Sequence, residues 1–204
     1  MTTVMEAIRQ RRSIRRFKPE PIPSEILAEL IEAARLAPSG SNRQPARFRV
    51  VTDEEGKKKL AEASFGQQHL AQAGAVFICC ADMNAYSQLS GRQRRDEMIA
   101  AGVYAPDSAR GPVDGWEDPK DIDAYLPQAW LNVGIAVEHV VLAATALGLG
   151  TCWVQMFSRK KVGEAFGIGR EMPIIALLAV GYPDQDPAPR PRHPVEKILL
   201  APLP

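Results

Sequence analysis

Apolar positions along this chain fall into two kinds of run. Ile26, Leu27, Leu30, Ile31 and Ala34 follow helical spacing, in a segment that opens at Ser24 after Pro23 and ends before Pro38. A longer run from Leu126 to Leu147 is apolar on most sides (Leu131, Ile135, Val140, Val141, Leu142), so it predicts a helix buried in an interior or a large interface. The second kind is short and continuous. Ala75–Ala81 and Pro173–Val180 read as central strands, and Phe48–Val51 and Thr151–Met156 as two more. Capping patterns place further helices. Thr3-Val-Met-Glu6 opens one that runs to about Arg11, Thr52-Asp-Glu-Glu55 opens a charged one to about Ser64, and Ser158 caps one to about Phe166. Val195–Leu200 reads as a short strand or extended arm. Helices and strands alternate with no internal repeat and no linker between two cores. The pattern predicts one α+β domain over 1–204, with a central sheet of four or five strands and helices on both faces.

Residues 83–125 fit this pattern least. They hold a basic and acidic helix near Arg92–Met98, then chain rich in Gly, Pro and Asp with Tyr104, Trp116 and Tyr125. Aromatics in polar chain call for burial, so this segment reads as an excursion over a site, not a linker.

Composition narrows the partners. Of 204 residues, 46% are hydrophobic and 24% charged, values of an ordinary globular protein. Lys and Arg number 25 against 24 Asp and Glu, so the formal net charge is only +1 and nothing global favours nucleic acid or an anionic membrane. The longest apolar stretch, Val133–Gly150, is interrupted by Glu138 and His139, and is expected to be a core helix and not a membrane span. Cys79, Cys80 and Cys152 lie in apolar runs without C-x-x-C spacing, which excludes a zinc or redox pair of that type and is expected of core residues in a reducing, cytoplasmic compartment. The N-terminus carries charge without a following apolar stretch, so no secretory signal is expected.

The charge that matters is local. Arg9, Arg11, Arg12, Arg15, Arg16 and Lys18 fall within ten residues, and Arg190-Pro-Arg192 echoes them near the far end. A dense basic site on a near-neutral chain suits one compact dianion such as a nucleotide phosphate, to which Arg presents a rigid fork of donors and Ser13 a hydroxyl. The plainer alternative is a solvated helix end. A nucleic-acid-binding module is a third reading, but it would need basic residues along an extended face with aromatic platforms. In extended chain, Arg11, Ser13 and Arg15 would share one side and Arg16 would face away. There is no G-x-G-x-x-G after the first strand and no P-loop.

Six ordered pieces together resemble the nitroreductase family of FMN-dependent oxidoreductases: Arg11-Arg-Ser-Ile-Arg-Arg-Phe17, Ala37-Pro-Ser-Gly-Ser-Asn-Arg-Gln-Pro45, Gly66-Gln67 before His69, Leu147-Gly-Leu-Gly-Thr-Cys-Trp153, Gly181-Tyr-Pro183 and Arg190-Pro-Arg192. The resemblance implies a mostly antiparallel sheet and a homodimer with two FMN sites at the subunit interface. It also implies a ping-pong reaction in which NAD(P)H and an electron-poor acceptor use the same flavin in turn. On the matching positions, Arg11, Arg12, Ser13 and Arg15 look like phosphate and ribityl ligands, and Arg190 and Arg192 like the second side of that clamp. Pro38, Ser39 and Gly40 look like the loop that reaches the partner's flavin. Asn42 and Gln67 look like ring-edge contacts. Trp153, Val154, Gln155 and Met156 match the stretch that packs on the ring, although a buried strand would need large apolar groups at Trp153 and Val154 in any case. His139 is expected to be a hydrogen-bonded core residue, whereas His69 and His193 lie near cofactor motifs. The chain departs from the family where glycine is common at Gln155 or Met156, and where an aromatic is common at Ala46. These departures leave open a flavoenzyme of the same scaffold with a specialised acceptor, such as a dehalogenase, an oxidase or a flavin-fragmenting enzyme.

Overall fold

The structure, a computed structural model, describes residues 2–87, 91–103 and 122–201, and only the backbone of 87, 91–95 and 122. Four strands, β1 (Ala46–Val51), β2 (Ala75–Ala81), β3 (Gly150–Val154) and β4 (Ile174–Gly181), form one sheet. Its order is β1-β2-β4-β3 and every pairing is antiparallel. The two continuous apolar runs are the central strands β2 and β4, buried along their whole length. Each must be apolar on both faces because helices cover both. Alternation along β2 sends Phe77 and Cys79 to one core and Val76, Ile78 and Cys80 to the other.

The first core lies under α2 (Ser24–Arg35) and α7 (Leu126–Ala146). The second lies under α3 (Glu54–Ala63), α4 (Gln68–Gln72) and α8 (Arg159–Phe166). Phe77, Ile78, Leu177 and Leu178 are fully buried at the centre, each stabilising the fold by about 1.5–3 kcal/mol. α7 is long and apolar enough to cross a membrane, but it packs against α2 and all four strands as a core helix. Its outward side leaves Trp130 and Leu131 exposed, the latter by 65%.

α1 (Val4–Gln10) starts at the expected capping box. The Thr3 hydroxyl accepts from the Glu6 amide, and the Glu6 carboxylate accepts from the Thr3 amide at 2.7 Å. Three local expectations are corrected. The cap of α3 is Asp53 rather than Thr52, its carboxylate accepting from the Gly56 amide at 2.7 Å. β3 stops at Val154, so Gln155 and Met156 lie beyond the strand. Val195–Lys197 is a single 3-10 turn and not a strand. Within the excursion, α5 (Asn84–Ser87), α6 (Gly91–Ala100) and a turn at Ile122–Tyr125 are described. Tyr104 and Trp116 lie outside the described residues.

After α1 the basic segment crosses the ends of β3 and β4. Ile14 donates its amide to the Thr151 carbonyl at 2.8 Å, and Lys18 donates to the Tyr182 carbonyl at 2.9 Å. Ile14 and Phe17, three residues apart, are both buried, so the segment turns as it crosses and period two holds only at its start. Gly150 and Gly181 are paired across β3 and β4. A Cβ on Gly150 would lie 2.6 Å from Ile14, and one on Gly181 would lie 2.9 Å from the Phe17 ring. The paired glycines therefore form a notch that seats these two side chains and fixes the basic residues between them.

Candidate functional site

The notch decides where the arginines go. Arg11, Arg12, Ser13 and Arg15 line a cleft of about 420 Å³ whose opposite wall carries Arg190 and Arg192. The two basic clusters, 175 residues apart in sequence, are brought together. Arg12 joins the walls: its Nε donates to the Pro187 carbonyl at 3.2 Å and its Nη1 to the Arg9 carbonyl at 2.7 Å. One donor thus holds the C-terminal chain in place, while Nη1 is spent on carbonyls of its own segment. Arg11 Nε lies 3.5 Å from a Glu138 carboxylate oxygen on α7. Arg192 donates to the carbonyls of Arg190 and Pro191. Arg16 is not part of the cleft lining; its carbonyl accepts from the Asp184 amide.

Next to the cleft runs the open edge of β3. Thr151 accepts from Ile14 on the outer side of this strand. Backbone groups alternate in direction along a strand, so the N–H and C=O of Trp153 also point outward. The Trp153 side chain packs half-buried against the first core, while Val154 is buried in the second. The Val154 side chain therefore serves the fold, and the backbone that faces outward near the strand end is that of Trp153. Gln155 and Met156 are exposed past the strand end. Gln67 joins this edge, its amide donating to the carbonyls of Ser64 at 3.0 Å and Met156 at 2.9 Å.

One residue at this edge stood outside the sequence-derived ligand set. His69 is buried at the start of α4, and its Nε2 has no hydrogen-bond partner. Burial first, and the nearby Arg15 charge second, hold its pKa below the usual 6.5. A buried ring nitrogen without a partner, beside an arginine of the basic cleft, fits a ligand that brings hydroxyl or phosphate oxygens to that point. Its only signal in the sequence was its position two residues after Gln67.

The loop residues Pro38, Ser39, Gly40 and Asn42 lie elsewhere. They precede β1, at the opposite edge of the sheet from β3. Three strand spacings of about 4.8 Å separate the two edges, on the order of 14 Å. One chain alone therefore does not bring this loop onto the cleft. The loop is held by the Asn132 side chain, which accepts from the Gly40 amide at 3.0 Å, and by the Ser39 hydroxyl, which accepts from the Gln44 amide at 2.8 Å. Ala46 lines an apolar groove of about 400 Å³ with Pro38, Phe48 and Ala136.

A sequence model of the nitroreductase family matches residues 8–182. The chain belongs to the nitroreductase family. It is 34% identical over 194 residues to an NADH dehydrogenase of Thermus thermophilus, covering 94% of this chain and 92% of that protein. It is 28% identical over 200 residues to an FMN reductase [NAD(P)H] of Bacillus subtilis, covering 97% and 73% respectively. Among solved structures, a protein of Exiguobacterium sibiricum in complex with FMN superposes with a TM-score of 0.79 at 28% identity, covering 98% of this chain and 97% of that one.

Burial pushes the Cys80 thiol up to about 11 and raises Cys79 and Cys152 as well, so all three are protonated core residues. Among the described residues no group of three or more His, Cys, Asp or Glu could hold a metal.

His69 gives the apoprotein a pH dependence. Its folded pKa lies below its unfolded value, so the unfolded chain binds more protons as pH falls through 6.5. Stability should therefore drop as pH falls below about 6.5, and His69→Gln should flatten that part of the curve. Urea unfolding of flavin-free protein across pH 5.5–7.5 checks this. The same slope in the variant would remove His69 as its source.

Proposed function

We propose that this chain works as a homodimer, carrying electrons from NAD(P)H to an electron-poor small molecule, a nitroaromatic, quinone or flavin, by ping-pong kinetics. It is an NAD(P)H-dependent oxidoreductase with FMN as its cofactor. The observation that carries the reading is the basic cleft, whose Ser13 bridges to Thr151 on the open edge of β3, with the orphaned His69 nitrogen within reach of the Arg15 charge.

Bound FMN would supply the two-electron chemistry that links donor and acceptor. What the chain supplies is binding and orientation. Arg11, Ser13, Arg15, Arg190 and Arg192 would hold the phosphate, and Arg12 would keep the C-terminal wall in place. Each charge-assisted hydrogen bond contributes roughly 1.5–3 kcal/mol. His69 would give its hydrogen bond to the phosphate or ribityl chain beside Arg15. Gln67 and the outward backbone of Trp153 would meet the ring edge. Pro38, Ser39, Gly40 and Asn42 would complete the site of the other subunit, which explains why their own chain holds them at the far sheet edge. The exposed Gln155 and Met156 side chains would narrow the space for the acceptor, a point in favour of a restricted acceptor range. Residues 83–125 would select the acceptor. The enzyme is placed in the cytoplasm, with no nucleic acid or membrane as partner.

One preparation tests the reading. Purified protein should be yellow, release FMN on heating, and bleach without oxygen under NADH or NADPH. Light scattering should give twice 22.3 kDa with one FMN per chain. A colourless protein that takes up no FMN would sink the cofactor assignment, and an active flavin-loaded species of single-chain mass would sink the shared site.

A further inference from the structure

The loop proposed to serve the partner's flavin is strained, and it is pinned by a cluster centred on Arg43 of the same Ala37–Pro45 segment. Ser41, Asn42 and Gln44 all have φ near +50°. Non-glycine residues in that region cost of order 1–3 kcal/mol each and persist only where their surroundings over-determine them. Here the surroundings are specific. Arg43, between the strained residues, donates from Nη1 to the Ala85 carbonyl at 2.9 Å. Its guanidinium carbon lies 5.1 Å from the Tyr86 ring centre and 5.7 Å from that of Tyr125. The two rings stack at 5.3 Å and 28°. Tyr86, in turn, accepts on its hydroxyl from the Asn132 amide at 2.8 Å, and Asn132 accepts from the Gly40 amide. Tyr86 and Asn132 are only 5% and 7% exposed. The contacts close a ring from loop to α5, to the turn before α7, to α7 itself, and back to the loop.

We propose that Arg43, seated on Tyr86 and Tyr125 with Asn132 beneath, is a positioning residue that sets the acceptor side of the partner subunit's flavin. The inference rests on the FMN reading of the site. Arg43 acts by holding residues 38–42 in a shape that their own backbone preferences oppose. The phosphate clamp is built on the other edge of the sheet, so retention of FMN should not depend on Arg43. The geometry of the ring edge, where an acceptor must sit, should.

A planar fork is what the position asks for. It reaches a carbonyl with one N–H while its guanidinium carbon stays within 5.7 Å of two aromatic ring centres, which a compact ammonium cannot reproduce. Arg43→Ala in the holoenzyme should therefore raise KM for a benzoquinone acceptor about tenfold, leave kcat and the KM for NAD(P)H within about twofold, and alter the visible circular dichroism of the bound flavin. FMN content should stay at one per chain. Arg43→Lys, which keeps the charge and is the milder change, should move KM and the dichroism in the same direction. Asn132→Asp keeps an acceptor for Gly40 but removes the donor to Tyr86, and should give a smaller shift of the same kind. A flavin-loaded Arg43→Ala or Arg43→Lys protein with wild-type acceptor KM and dichroism would overturn the proposal. So would Arg43 variants that lose FMN in proportion to the rise in KM, since that would make the residue part of general site stability. A wild-type protein that takes no FMN would instead bring down the functional reading, and this inference with it.

Discussion

Arg15→Ala should weaken FMN binding about ten- to hundredfold, while Arg16→Ala should weaken it less than about threefold. The two arginines are neighbours with equal charge, so any difference must come from where the chain points them. Arg15 lines the cleft with Arg11 and Ser13, and its charge reaches His69 and Cys152. Arg16 does not line it. One lost charge-assisted hydrogen bond, at roughly 1.5–3 kcal/mol, sets the expected range for Arg15. His69→Ala added to Arg15→Ala should cost less than the sum of the single changes, because the two groups would hold adjacent oxygens of one ligand. Titration of flavin-free protein, followed by flavin fluorescence, measures all four values. Equal losses for Arg15→Ala and Arg16→Ala would show that overall positive charge, and not the facing of the segment, binds the cofactor.

Local chemistry was legible wherever a residue's partner lies within a few positions. The Thr3–Glu6 box, the two central strands and the end of α2 before Pro38 all follow from neighbours in sequence. Where two local solutions compete, sequence misassigns one: Thr52 and Asp53 are both good caps, and the carboxylate took the helix. Val195–Leu200 has strand-like composition, but β3 already forms the sheet edge on one side and β1 on the other, and the segment pairs with neither. The basic cleft was legible as two arginine clusters but not as one cleft, since closing it needs the strand order and Arg12 reaching Pro187. Neither His69 nor the Arg43 cluster stood out. A buried histidine without a partner is defined by burial, which a five-residue helix does not announce. Arg43, Tyr86, Tyr125 and Asn132 are scattered along the chain and meet only through the packing of α7.

Gly150→Ala should strip FMN from a protein that still folds. The glycine sits under Ile14, and a new Cβ would lie 2.6 Å from its Cγ1, 2.9 Å from its Cβ and 3.1 Å from its Cγ2. Three atoms of a branched, buried side chain cannot all yield by rotation, because β-branching leaves Ile few rotamers. The segment must therefore lift off β3. Lifting breaks the 2.8 Å bond from the Ile14 amide to Thr151 and carries Arg11, Ser13 and Arg15 away from Arg190 and Arg192. Overpacking of this kind typically costs about 1–3 kcal/mol of stability, which a domain of this size tolerates. The clamp needs its two walls at hydrogen-bond distance, so the dissociation constant for FMN should rise more than tenfold. Gly74→Ala is the matched control. Its Cβ would lie 2.9 Å from Ile22, a comparable clash against an isoleucine of the other core, outside the lining of the arginine cleft. It should lower the unfolding temperature by a similar amount and leave FMN affinity within about twofold. If Gly150→Ala holds FMN as tightly as the wild type, or if Gly74→Ala loses it equally, then the glycine notch does not position the clamp.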